Sequence, residues 1–386
     1  MTTSLRFSLL ALVLVAGCAE DHERDPLYDC VVAGPPDAGA PDDGEPLDVD
    51  LLLMVDNSNS MAEEQVNLAQ ALPELIRAIV SGDVDGDGVP ETTPARTVRA
   101  GVITSDMGTG GFTVPSCLDS MWGDDGVLAD GNEGRLDGCS PASGGPRFLT
   151  YDPASSLTPR AFADELACVS VTGTGGCGFE QPLEAVLKAL TPSTSPISFF
   201  GGTTGHGDGP NAGFLRDDSV LAVVLLTDED DCSARDPDLY NQASTTYLSD
   251  VNVRCVLDDE ALHPIERYVD GLLALRPGAP GRLVFITIAG VPIDLSGSRE
   301  DNLLSDVRME STVDPTNPQR LSSACSADTG IAYPPRRIVQ VSDELRRRGA
   351  HTAAVSICIP SFVDAVRLAA ESVGDAIVGP ACPGAG

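Results

Sequence analysis

The sequence predicts an α/β protein on a doubly wound, mostly parallel sheet, with helices on both faces and long disulfide-clamped loops. Three observations carry that expectation. First, the chain contains short apolar runs such as Val220–Leu226 (VLAVVLL) and Val49–Val55, the latter broken only by Asp50, each stopped by small polar residues. Runs of that length and ending are strands covered on both faces. Second, such runs alternate with segments of three- and four-residue apolar spacing, the signature of strand–helix–strand units. Third, of eleven cysteines, ten follow Cys18. An even number in a chain with an export signal implies a disulfide framework.

Taken in order, strands are expected over residues 49–55, 98–104, 220–227, 283–289 and 352–359. Helices are expected over 62–80, 160–168, 183–190, 260–275, 336–348 and 362–373. In the first helix Val66, Leu68, Leu72, Leu75, Ile76 and Ile79 share one face. Pro73 falls inside that pattern and is expected to kink or divide it. Residues 48–386 read as a single domain with glycine-rich insertions near 105–152, which includes Trp122, and 201–211. Insertions of that length are uncommon unless functional or disordered. Sequence-near disulfides would join Cys117 to Cys139, Cys168 to Cys177 and Cys232 to Cys255, while Cys30, Cys325, Cys358 and Cys382 admit three pairings.

Ahead of the domain, Arg6 precedes a short apolar stretch over residues 9–15, and Leu14-Val15-Ala16-Gly17-Cys18 follows. Small residues before a cysteine at the end of such a signal resemble the bacterial lipobox. The resemblance implies a signal peptide over 1–17, an acylated Cys18 as a lipid anchor and, with Ala19 next, the outer membrane or cell surface. Residues 18–47, with Pro35, Pro36, Asp37, Pro41, Asp42, Asp43 and Pro46, read as a disordered tether. A net charge of −34 excludes nucleic acid as a partner. With aromatics at 4 %, a stacking platform for bases or sugars is poorly supported.

Chemistry concentrates where the first strand ends, at Asp56-Asn57-Ser58-Asn59-Ser60. Open α/β sheets bind ligands at the carboxyl ends of their strands. Asp56, Ser58 and Ser60 offer one carboxylate and two hydroxyls, half of an all-oxygen cage for a hard cation, magnesium above all. Asp-x-Ser-x-Ser after a buried strand resembles the metal-ion-dependent adhesion site of von Willebrand factor type A domains. That resemblance assigns Asp228, in Thr227-Asp228 after the most apolar strand, to the same site. It also calls for an oxygen ligand ahead of a helix. In residues 171–182 either Thr174 or Glu180 fills that place, and a glutamate would dampen the ion's pull on an incoming carboxylate. The implied function is adhesion: Mg2+ or Mn2+ recruits a protein or peptide ligand through an exposed carboxylate, without catalysis.

Two alternatives stand beside it: a metal-dependent hydrolase using the same strand-end carboxylates, and a structural envelope protein with a vestigial site. Against catalysis, there is no Gly-x-Ser-x-Gly, His-Glu-x-x-His or Walker loop, and His206 is an isolated histidine in a glycine-rich loop. Zinc is disfavoured because no Cys-x-x-Cys occurs and the four histidines are scattered. A further candidate is Asp83-Val84-Asp85-Gly86-Asp87-Gly88, the first half of an EF-hand-like loop. Position twelve is Pro94, which excludes a full EF-hand, but Glu91 would close a shorter calcium loop.

Overall fold

The computed structural model describes residues 47–130, 147–327 and 330–378. The expected signal peptide, Cys18, the expected tether apart from Leu47, Cys30, Cys139 and Cys382 lie outside the described residues. A six-stranded sheet organises the rest: β1 (Val49–Val55), β2 (Val98–Thr104), β3 (Leu149–Tyr151), β4 (Val220–Leu226), β5 (Leu283–Ala289) and β10 (His351–Ser356), in the order β10-β5-β4-β1-β2-β3. All pairings are parallel except β2–β3. Four two- to five-residue strands, β6 (Val313–Asp314), β7 (Asn317–Leu321), β8 (Cys325–Ser326) and β9 (Ile331–Ala332), form two separate hairpins.

The apolar runs become central strands because both of their faces are covered. On one face Val49, Leu51, Leu53 and Val55 pack with α1 (Ala62–Ser81), α2 (Pro159–Ser170) and α8 (Val363–Val378). On the other, Leu52, Met54, Val223 and Leu225 pack with α3 (Pro182–Leu190), α5 (Glu266–Leu273) and α7 (Arg336–Arg347). Two short helices, α4 (Arg254–Leu257) and α6 (Glu300–Ser305), lie in the connections. The period-two alternation of β1 thus feeds both cores. Asp50, which breaks its apolar run, is fully buried and satisfied: Arg216 Nε donates to Oδ1 at 2.7 Å and Ser219 Oγ to Oδ2 at 2.6 Å.

Several expectations are corrected. Pro73 does not divide α1, which continues from Ala62 to Ser81. One lost hydrogen bond is outweighed by the burial of Leu68, Leu72, Leu75 and Ile76 on either side of it. The helix expected over 260–275 is a 3-10 turn at Asp259–Ala261 and then α5, because Pro264 disfavours helical geometry in the residue before it. The edge strand β3, the two hairpins and α6 were not anticipated. Cys117 pairs with Cys177, 60 residues on, and not with Cys139, so Cys168 cannot pair with Cys177 and is disulfide-bonded elsewhere. The expected Cys232–Cys255 bridge is present, and Cys325 pairs with Cys358. Among the described residues, no helix is long and apolar enough to cross a membrane.

Candidate metal site at the carboxyl edge of the sheet

Chain order reverses at the centre of the sheet: β2 lies on one side of β1 and β4 on the other. A crevice at such a reversal is the usual ligand position of open α/β sheets. Asp56 and Asp228 leave the ends of these adjacent strands, where Val55 is in register with Leu226 and Asp56 N donates to Leu226 O at 2.9 Å.

Asp56 is fully buried. Its Oδ1 accepts from Ser58 N at 2.8 Å and Ser105 Oγ at 3.2 Å, and its Oδ2 accepts from Thr227 Oγ1 at 2.6 Å. Ser58 Oγ and Ser60 Oγ are 3.2 Å apart, and Ser60 hydrogen-bonds the side chain of Asp228. The third segment, residues 171–181, is drawn in by backbone contacts. Gly176 N donates to Asn57 O at 2.9 Å, and Gln65 Nε2 donates to both Asp56 O and Gly173 O at 2.8 Å. Gly176 has to be glycine here, since a Cβ would lie 2.1 Å from Asn57 Oδ1. The Cys117–Cys177 disulfide ties this loop to the first insertion.

Glu180 joins the carboxylate group. It is buried, its carbonyl accepts from Cys232 N at 2.8 Å, and its carboxyl feels the negative charge of Glu229, Asp56 and Asp228. Thr174 is half-buried, and no hydrogen bond links it to these residues. Of the two candidates, it is therefore Glu180 that lies with Asp56 and Asp228. Sequence reasoning missed Ser105 beside Asp56, and left Glu229 open between a solvated role and a part in a second cation or the ligand surface. Position at a strand end was the only available signal for Ser105, and the acidic run after Asp228 the only one for Glu229.

The electrostatics are those of crowded acids. Burial pushes Asp228 up to about 8, with Asp56 and Glu229 adding repulsion. Burial and Asp56 push Glu229 up to about 7. Glu180 is raised well above the carboxylate range by burial, then by Glu229, Asp56 and Asp228. Asp56 is raised by burial against the hydrogen bonds of Thr227, Ser58 and Ser105. The charged groups that weigh most on these four are one another, Glu64 and Asp230; no arginine or lysine is among them. Asp228 Oδ1 is buried without a hydrogen-bond partner. Surplus negative charge and an unpartnered carboxylate oxygen suit a divalent cation, while among the described residues the carboxylate oxygens that fall within 4.8 Å of one another are those of Asp83, Asp85, Asp87 and Glu91.

Asp230 and Asp231 serve the framework. Asp230 accepts from Arg337 N at 3.0 Å, near the start of α7, and Asp231 Oδ1 accepts from Leu183 N at 3.1 Å in the first turn of α3. His206 is held away from this chemistry, with Nε2 2.9 Å from Asp125 Oδ2, and buried Lys188 lies 2.5 Å from Asp125 Oδ1. These contacts join the two insertions to each other, together with the edge-on packing of Trp122 against Phe200.

The second candidate loop lies at the other end of α1. One carboxylate oxygen from each of Asp83, Asp85, Asp87 and Glu91 falls within 4.8 Å of the others. Asp83 accepts from Gly86 N and Gly88 N at 2.7 and 3.1 Å, and Glu91 Oε2 accepts from Val84 N at 2.6 Å. A 20-residue helix separates the two loops, roughly 30 Å of rise. No protein-family model matches the chain, and no curated protein matches it.

Proposed function

We propose that the chain is an exported, lipid-anchored surface protein with a von Willebrand factor type A-like domain that binds a protein or peptide ligand through a divalent cation. Asp56, Ser58, Ser60, Asp228 and Glu180 hold the ion, directly or through water, and Thr227 and Ser105 orient Asp56. The observation that carries this reading is the unpartnered Asp228 Oδ1 among four buried or half-buried carboxylates that have no basic counterpart. The Asp-x-Ser-x-Ser and Thr-Asp sequences at adjacent strand ends of a mostly parallel sheet support the family reading. Mg2+ or Mn2+ is the ion at this site. The Asp83–Asp85–Asp87–Glu91 group supports a separate calcium loop. Lipid anchoring rests on Cys18 and the residues before it.

Calorimetric titration of the wild-type protein and Asp56→Ala with magnesium and manganese tests the site. The variant should lose binding while its thiols remain oxidised. Equal affinity in both proteins would overturn the assignment.

A further inference from the structure

We infer that a cleft outside the proposed cation site binds the C-terminal residue of a partner polypeptide, with Arg235 taking the carboxylate and an apolar wall taking the side chain. The cleft holds about 250 Å3, and Met107, Phe199, Phe200, Pro237 and Tyr240 form its apolar side. Its walls fix one another. Gln181 Nε2, just ahead of α3, donates to Gly108 O at 2.7 Å, and Arg235 N donates to Ala261 O at 2.8 Å. Gly110 comes so close to two walls that a Cβ there would lie 2.7 Å from Pro237 Cβ and 3.2 Å from Phe200 Cε2. Tyr240 offers its ring, since its hydroxyl already donates to Cys232 O at 2.5 Å and accepts from Ala234 N at 3.1 Å. The cavity is thus formed before a ligand arrives.

Charge sets Arg235 apart from the other ionic groups of the cleft. Asp125 is taken by Lys188 and His206, and Glu184 by Nε and Nη2 of Arg267, at 2.9 and 2.8 Å. Arg235 is exposed, and among the described residues its guanidinium donates to Glu260 O at 3.0 Å and to no carboxylate. The next residue, Asp236, is occupied by Tyr247 Oη and Asp238 N. A guanidinium carries five donors in a planar fork that matches a carboxylate. In a chain of net charge −34 the cleft therefore presents a cation without a counter-ion. It is smaller than the roughly 300 Å3 at which pockets for drug-sized ligands begin, so a single residue fills it. A carboxylate and an apolar side chain on one residue is the chemistry of a chain terminus. Aspartate and glutamate spend their side chains on the charge.

Trp122, the only tryptophan, packs edge-on against Phe200 at 5.5 Å and so reports on the cleft. N-acetylleucine titrated into the protein in chelator should change its fluorescence saturably. N-acetylleucinamide, which lacks the charge, and N-acetylglycine, which lacks the side chain, should each bind at least about tenfold more weakly. Arg235→Gln, at an exposed position, should weaken N-acetylleucine by a similar factor while keeping its melting temperature. No response, an equal response to acid and amide or to leucine and glycine derivatives, or an unchanged response in Arg235→Gln would overturn the assignment. Tighter binding of leucine itself would make the ligand a free amino acid and overturn the chain terminus. A response that needs magnesium would place the carboxylate on the ion, which overturns the cleft and supports the cation site, so the two readings fail separately.

Discussion

Thr227 Oγ1 donates to Asp56 Oδ2 at 2.6 Å, so the carboxylate at the end of β1 is held by the hydroxyl that ends β4. Both side chains are fully buried. The bond aims Oδ2, while Oδ1 accepts from Ser58 N and Ser105 Oγ. Thr227→Val keeps the shape and removes the donor. The expected cost is about 1–3 kcal/mol in urea denaturation, the cost of leaving a buried acceptor unsatisfied, with a matching weakening of cation affinity. Unchanged stability and affinity would show that the bond does no positioning.

Proton and cation compete at this site. The folded chain holds protons on Asp228 up to about 8 and on Glu229 up to about 7. The unfolded chain releases them near the ordinary carboxylate values. The folded state therefore binds more protons than the unfolded one in between. Stability that is full below about pH 4 is lost as pH rises through 7 to 8. From about pH 7 to 8.5, above most of the range in which His263, at about 4, and Asp106 and Asp230, at about 6, titrate, the melting temperature in chelator should fall. Saturating magnesium should reduce that fall. Scanning calorimetry across this window checks it, and a flat profile in chelator would contradict it.

At the opposite edge of the sheet the buried carboxylate has a partner. Arg216 donates from its backbone N–H, at 2.7 Å, and from Nε to Asp50. Arg216→Met would strand Asp50 inside the protein and should cost about 3–5 kcal/mol in chemical denaturation. Combining it with Asp50→Asn should recover part of that loss. A double variant no more stable than the single one would refute the pairing as the cause.

The loop after α1 should account for one bound calcium. Asp85→Asn with Asp87→Asn removes two of its four carboxylates, and both residues are exposed. Calcium stoichiometry by equilibrium dialysis should drop by one, with magnesium binding at the Asp56 site unaffected. Identical calcium stoichiometry in wild type and variant would rule the loop out.

How much of this was legible beforehand follows from what each residue must satisfy. β1, β4 and β5 announce themselves because burial on both faces demands nearly unbroken apolar runs. β3 is a three-residue edge strand whose Thr150 is exposed, and a half-covered edge makes no such demand. Asp56 and Asp228 were readable because a strand end fixes where its next residue points. Ser105 sits at an equally informative strand end, but a lone serine carries no ligand spacing. The choice of Glu180 over Thr174 depends on which residue of an irregular loop faces inward, and that is set by Gly176 lying against Asn57. Nearest-neighbour pairing failed for Cys117 because the first insertion folds back onto residues 171–181, a long-range contact that spacing does not encode.

α1 sets opposite fields at the two candidate loops. The Asp56 loop leads into its first residues, and Gly82, in left-handed geometry with N–H to Ala78 O, ends it beside Asp83. A helix presents about half a positive charge at its start and half a negative one at its end. The same backbone therefore pushes against a cation at the Asp56 end and pulls on one at the Asp83 end. A cation at the Asp56 end would be held against that field, and one at the Asp83 end with it. The crowd of acids gathered there offsets a polarity that the helix imposes on its own entrance.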